Sequence, residues 1–226
     1  MTEAFALLIL PRLMPVLRGA VTFSRFLVEP DKEAPADLKR SLSRALKARA
    51  FAPIDRRAEE ERATGFVELE NSDGTEFAAG SIFYGEYALF AWRVDTIKIP
   101  GPVLKAEVEK WAAAFEKEKG RPPSRGEKNE NKSSVRQLLR NRAVPLTKVH
   151  DISWNLKTQQ LQIWAASRKA VEEAMAGVET AFKVKLIPLV PAAVAQRTGI
   201  DDSALGPTAE LIGMELKAEE VSHGEA

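Results

Sequence analysis

Two kinds of side-chain arrangement in this 226-residue chain could do chemistry. The first is acidic. Glu68, Glu70, Asp95 and Asp151 lie in or near strand-like stretches, and two-metal hydrolysis needs carboxylates converging on ions roughly 3.5–4 Å apart. Strand alternation puts Glu68 and Glu70 on one face, yet no third carboxylate or lysine base is specified beside them, and a solvated surface is the better account of the pair. Asp95 sits between Val94 and Thr96 at the end of an apolar strand, where Arg93 or Lys98 could neutralise it. No catalytic residue, metal site or cofactor is therefore assigned. His150 falls inside a strand pattern and His223 in an acidic C-terminal stretch. HExxH, the Walker A loop, GxGxxG after a strand and GxSxG are all absent. With no cysteine in the chain, disulfides and thiolate chemistry are excluded, and a reducing cytoplasmic setting is expected.

The second arrangement is basic. A helix pattern carries Lys39, Arg40, Arg44, Lys47 and Arg49, followed by Arg56 and Arg57. A second span, Lys117 to Lys148, holds ten lysines and arginines against three acids. Exposed cations contact phosphates and give affinity without reading sequence. A solvated helix face balanced by Glu107, Glu109, Glu116 and Glu118 is the competing account. Net charge is only +1, but residues 201–226 carry −6 and residues 1–200 carry +7. A basic body beside an acidic end suits a polyanion-binding surface with a competing tail.

These side chains need a scaffold, and the pattern supplies mixed elements. Val21–Val28 reads as a strand and Asp37–Ala50 as a helix with Leu38, Leu42, Ala45 and Leu46 at helical spacing. Short strands are expected at Phe66–Glu70 and Ser81–Tyr84 around the turn Asn71-Ser72-Asp73-Gly74, and a long one at Tyr87–Ile99. Pro100-Gly101-Pro102 starts a helix reaching about Lys119. Gly120–Asn131, with Pro122, Pro123 and Gly126, is expected to interrupt helix until Ser133–Arg142. Strands at Lys148–Leu156 and Leu161–Ala165, a helix at Arg168–Phe182 and a strand at Lys183–Val190 complete the pattern. Hairpins without strict βα alternation predict an α+β fold, largely antiparallel sheet with flanking helices. Residues 1–17 are apolar, but Glu3 precedes the apolar run, and Pro11, Arg12 and Pro15 break it well short of the ~20 residues of a membrane helix. They are expected to precede a start at Met14, and no membrane association is expected.

Several short strings, in order, resemble the RdgC family of recombination-associated proteins. They are Val94-Asp95-Thr96-Ile97-Lys98-Ile99, then Pro100-Gly101-Pro102-Val103-Leu104-Lys105, then Arg121 and Ser124-Arg125-Gly126-Glu127-Lys128. Leu138-Leu139, Arg142-Ala143, Trp154, the run Ala166 to Ala170 and Ile187-Pro188-Leu189 follow. The likeness covers about half the chain, with a looser one around Ala50-Phe51-Ala52-Pro53.

The resemblance implies a nucleoid-associated, sequence-indifferent binder of double-stranded DNA that forms a ring-shaped homodimer and limits RecA-driven recombination. The family also carries an exonuclease label. On this basis residues 18–200 are expected to form the DNA-binding region, with 201–226 an acidic tail. Backbone contacts are expected from Lys105, Arg121, Arg125, Lys128, Arg140 and Arg142, with Arg40, Arg44 and Lys47 as a second set. A metal-dependent nuclease using Glu68, Glu70 or Asp95, or a protein–protein module keeping the fold, are the alternatives. Two departures bear on the dimer. The family's chains are longer, so a contact that closes the ring is expected to be missing. Well-studied members also carry an aromatic dimer-contact residue where this chain has Val144, and a smaller side chain buries less area.

Overall fold

The computed structural model describes residues 22–30, 37–56, 58 and 60–200. The expectations for residues 1–17 and 201–226, and for Arg57, lie outside them. Seven strands form one antiparallel sheet in the order β2-β4-β5-β6-β1-β7, with β3 beside β4. These are β1 (Ser24–Pro30), β2 (Arg62–Val67), β3 (Phe83–Tyr84), β4 (Tyr87–Thr96), β5 (Leu146–Asn155), β6 (Gln160–Trp164) and β7 (Val184–Pro188). The helices are α1 (Leu38–Ala48), α2 (Ala79–Ile82), α3 (Gly101–Lys119), α4 (Arg125–Arg142), α5 (Arg168–Phe182) and α6 (Pro191–Arg197). This is the expected α+β class.

The β4–β5 ladder is the spine, in register from Tyr87–Asn155 to Thr96–Leu146. Alternation drives one set of its side chains, Phe90, Trp92, Ile152 and Trp154, onto the face that α1 and α5 cover. Leu42 and Leu46 of α1, one helical turn apart, are fully buried there beside Val171, Ala174 and Val178 of α5. Phe66, Phe90 and Trp154 each stack against Phe182, with ring centroids 5.5–5.8 Å apart. Asp37 caps α1 by accepting from the Arg40 backbone N–H at 3.0 Å. A smaller cluster, Phe51, Val67 and Ala91, packs on the opposite face.

Three expectations are corrected. Strand β2 ends at Val67, so Glu68 and Glu70 belong to the following loop instead of sharing a strand face. Ser81–Tyr84 is a turn of helix with only Phe83–Tyr84 extended. The helix expected to resume at Ser133 already runs from Arg125. The prolines precede its N-cap, Ser124, and Gly126 falls in the first turn, where fewer intrahelical bonds are at stake.

Candidate nucleic-acid interface

The basic span folds into a helical hairpin. Pro100 and Pro102 are suited to the start of α3, where their missing N–H groups cost nothing. Gly120 ends α3 with φ +66°, a left-handed cap that glycine adopts without strain, and its N–H donates to Glu116 O at 2.9 Å. Four residues later α4 begins with a capping box: Glu127 N–H donates to Ser124 Oγ at 3.3 Å, and Ser124 N–H to Glu127 Oε2 at 2.8 Å. The same carboxylate accepts both terminal nitrogens of Arg121, at 2.8 and 3.0 Å. The Arg121 guanidinium also lies 5.2 Å from the centre of the Phe115 ring. The bonds from Arg121, then those from Ser124, hold the Glu127 carboxyl down at about 2.

Over its 19 residues α3 buries no side chain fully, and it packs chiefly on α4. The hairpin therefore stands off the sheet core. Its anchor is the C-terminal half of α4. Arg140 is 3% exposed, and its Nη2 donates to Asp55 O at 3.2 Å, to Glu60 O at 2.7 Å and to Ala58 O. Arg56 reaches the other way, to Arg140 O at 3.4 Å, to Ala143 O at 3.1 Å and to Asn141 O. Arg136 adds an ion pair to Glu61 at 2.7 Å.

This geometry sorts the expected phosphate contacts. Arg125, Lys128 and Arg142 are exposed on α4. Arg125 and Lys128 belong to helix, where a loop was expected. Lys105 is exposed on α3, with Glu109 3.7 Å away. Arg121 is engaged by Glu127, although its side chain remains 56% exposed. Arg140 is a correction: it is buried among backbone carbonyls, so no phosphate can reach it while α4 stays docked. Sequence reading did not single out Lys132. With Arg125, Lys128 and Arg136 it follows i, i+3, i+7, i+11 spacing, which sets the four on one side of α4. That spacing was the available signal.

Arg40, Arg44 and Lys47 are exposed on α1, away from buried Leu42 and Leu46. Lys47 lies 3.8 Å from Glu76, and Lys39 5.3 Å from the Phe83 ring centre. Helix α1 packs on α5, α2 and β2, while Arg56 from the same basic stretch is bonded to the end of α4. Val144, just after α4, is 87% exposed, with Leu138 and Leu146 also exposed.

The acidic candidates disperse. Glu68 accepts from Phe77 N–H at 2.8 Å and Ser81 Oγ at 2.9 Å, closing its loop. Glu70 meets only the Tyr84 hydroxyl, at 3.4 Å, among the contacts described. Asp95, 4% exposed, takes a two-pronged bond from Arg93 at 2.8 and 2.9 Å, one of the partners foreseen for it. Burial opposes its ionisation, but the bonds from Arg93 and Thr147 and the Arg93 charge outweigh that, and its pKa falls below the usual value. Asp151 is fully buried in β5. Among the described residues no three His, Cys, Asp or Glu side chains are grouped to hold a metal ion, and no helix is long and apolar enough to cross a membrane.

A search of curated proteins found no match. Residues 31–199, roughly three quarters of the chain, match the family described as "Putative exonuclease, RdgC". That span runs from before α1 to the end of α6 and takes in the whole hairpin and its arginine anchor. The chain belongs to the RdgC family.

Proposed function

We propose that this chain binds double-stranded DNA through the phosphate backbone, without reading base sequence, and acts as an accessory that restrains RecA-dependent recombination. The observation that carries the binding is the stand-off α3–α4 hairpin, whose exposed Arg125, Lys128 and Lys132 share one side of α4. With seven residue steps from Arg125 to Lys132, they cover about 10 Å of helix. Helix-borne cations keep their spacing, so little ordering is left to be done when DNA arrives. Arg40, Arg44 and Lys47 on α1 offer a second contact. The exposed side chains of Leu138, Val144 and Leu146 are available for pairing with a second copy.

The family description favours a second reading, a metal-dependent exonuclease. Of the acids that would serve it, Glu68 closes its own loop and Asp95 is held by Arg93, which leaves Glu70 beside the Tyr84 hydroxyl. One experiment tests both. The purified protein is mixed with labelled linear duplex, with and without magnesium. Retardation without shortening is expected in both conditions. Progressive shortening with magnesium would move the assignment to the nuclease, and neither effect would leave a protein–protein module.

A further inference from the structure

Beside the α3–α4 hairpin lies an open groove of about 510 Å³. Half-buried Leu104, Val108 and Ala112, at i, i+4, i+8 on α3, give it an apolar surface. Exposed Lys105, Lys128 and Lys132 give it positive charge, and Glu109 is the one acidic residue lining it. An amphipathic helix normally buries its apolar side; α3 leaves this one open.

The chain itself carries a segment of matching chemistry. Residues 201–226 have seven acids and one lysine. Within them Leu211, Met214, Ala218 and Val221 are spaced 3, 4 and 3 residues apart, among Glu210, Glu215, Glu219 and Glu220. At helical spacing these four would share one side, with Glu210 and Glu215 next to it and Ile212 and Leu216 on another. Reach is sufficient: the eleven residues from Ile200 to Leu211 span up to ~36 Å when extended, against a radius of gyration of ~16 Å for a domain of this size. We propose that the segment around Leu211–Val221 docks in the α3–α4 groove of its own chain, its apolar residues on Leu104, Val108 and Ala112 and its glutamates beside Lys105, Lys128 and Lys132. Tethering makes even a weak contact effective, because a short link on the same chain holds the segment at a high local concentration. The contact covers cations assigned above to DNA, so tail and duplex exclude one another there. That consequence rests on the DNA-binding reading; the docking does not.

Zero-length carbodiimide coupling joins a carboxylate to a lysine only when the two touch. The full chain, mixed with an isotopically heavy copy, is coupled in low salt without DNA and its peptides are identified by mass spectrometry. Links from Glu210, Glu215, Glu219 or Glu220 to Lys105, Lys128 or Lys132 are expected, light to light and heavy to heavy. They should fall several-fold in a Leu211→Ser/Met214→Ser variant. Three results overturn the proposal: no tail links, links spread equally over Lys39, Lys157, Lys169 and Lys183, or light-to-heavy links, which would give the groove to another copy. None of these readouts depends on DNA, so failure here and failure of the DNA-binding reading are told apart.

Discussion

Arg56 and Arg140 brace one another: Arg56 Nη1 donates to Arg140 O at 3.4 Å, while Arg140 Nη2 donates at 3.2 Å to the carbonyl of Asp55, the residue before Arg56. The exchange locks the end of α4 to the 55–60 segment. Arg56 also donates to Asn141 O and Ala143 O at the helix terminus, where carbonyls lack intrahelical partners. The exchange diverts two arginines from the basic surface to the frame that aims it.

Arg140→Ala should destabilise the protein by about 1–3 kcal/mol, because it removes charge-assisted bonds to the part-buried carbonyls of the 55–60 segment. Urea unfolding measures this. Arg140→Lys should recover only part of the loss, since one ammonium cannot reproduce the guanidinium's spread of donors. Wild-type stability in the alanine variant would show that the 55–60 carbonyls find water instead.

A second stability prediction runs against helix propensity. Gly177 lies inside α5, where alanine ordinarily gains about 1 kcal/mol. A Cβ there would stand 2.7 Å from the Trp92 ring, a large side chain held in the core. Gly177→Ala should therefore lower stability, by roughly 1–3 kcal/mol as for other overpacked cores. A raised melting temperature would mean that Trp92 can move aside.

How legible these features were depended on how local their causes are. Helix α5 could be bounded residue by residue because Val171, Ala174 and Val178 repeat at helical spacing between Ser167 and Lys183. The start of α4 was signalled by Ser124-x-x-Glu127, but Pro122, Pro123 and Gly126 suggested a break. Whether a proline ends a helix or precedes its cap depends on which residue takes the cap, and that is settled by bonds made in three dimensions. The sheet order was out of reach. Phe26 lies between Leu161 and Pro188, and nothing local to any of these residues names its partners. Arg140 misled for the same reason: an arginine in a basic helix reads as exposed until the carbonyls of Asp55, Ala58 and Glu60 are placed around it. The family's short strings, by contrast, pointed to the correct fold class.

The hairpin turn makes a prediction about pH. Hydrogen bonds from Arg121 and Ser124 hold Glu127 at about 2 in the folded protein, against roughly 4.3 for a free glutamate. A depressed folded-state pKa contributes stability above pH ~4.3, lost as pH falls toward 2. Carboxyl NMR should find Glu127 titrating near 2, and Arg121→Ala should move that midpoint upward. A Glu127 midpoint already near 4.3 in the wild type would mean that the Arg121 pair does not persist in water.

The acidic tail yields a separate expectation in DNA binding. Removal of residues 201–226 takes away a net charge of −6. If those acids compete with DNA for the same cations, the shortened chain should bind duplex more tightly, most clearly at low salt where screening is weakest. Equal or weaker affinity would leave the tail no part in competition.

The salt dependence of binding tests the site itself. Each phosphate neutralised adds about 0.9 to the slope of log affinity against log salt. Arg125, Lys128 and Lys132 are exposed, whereas Arg121 is held by Glu127 and Arg140 is buried. Replacing Arg125, Lys128 and Lys132 together by alanine should therefore lower the slope by up to ~2.7 if each meets one phosphate. Arg121→Ala alone should leave it nearly unchanged. The tail could mask part of the effect by competing for the same lysines, so the comparison is made both in the full chain and in one ending at Ile200. Folding of each variant is checked by its melting temperature. A folded triple variant with the wild-type slope in both backgrounds would remove the hairpin from the DNA path and leave Arg40, Arg44 and Lys47 of α1 as the surface to try next. The loss should also be uniform across random duplexes, because phosphate contacts carry no sequence information. Strong discrimination among them would mean that bases are being read, and backbone binding would no longer describe the protein.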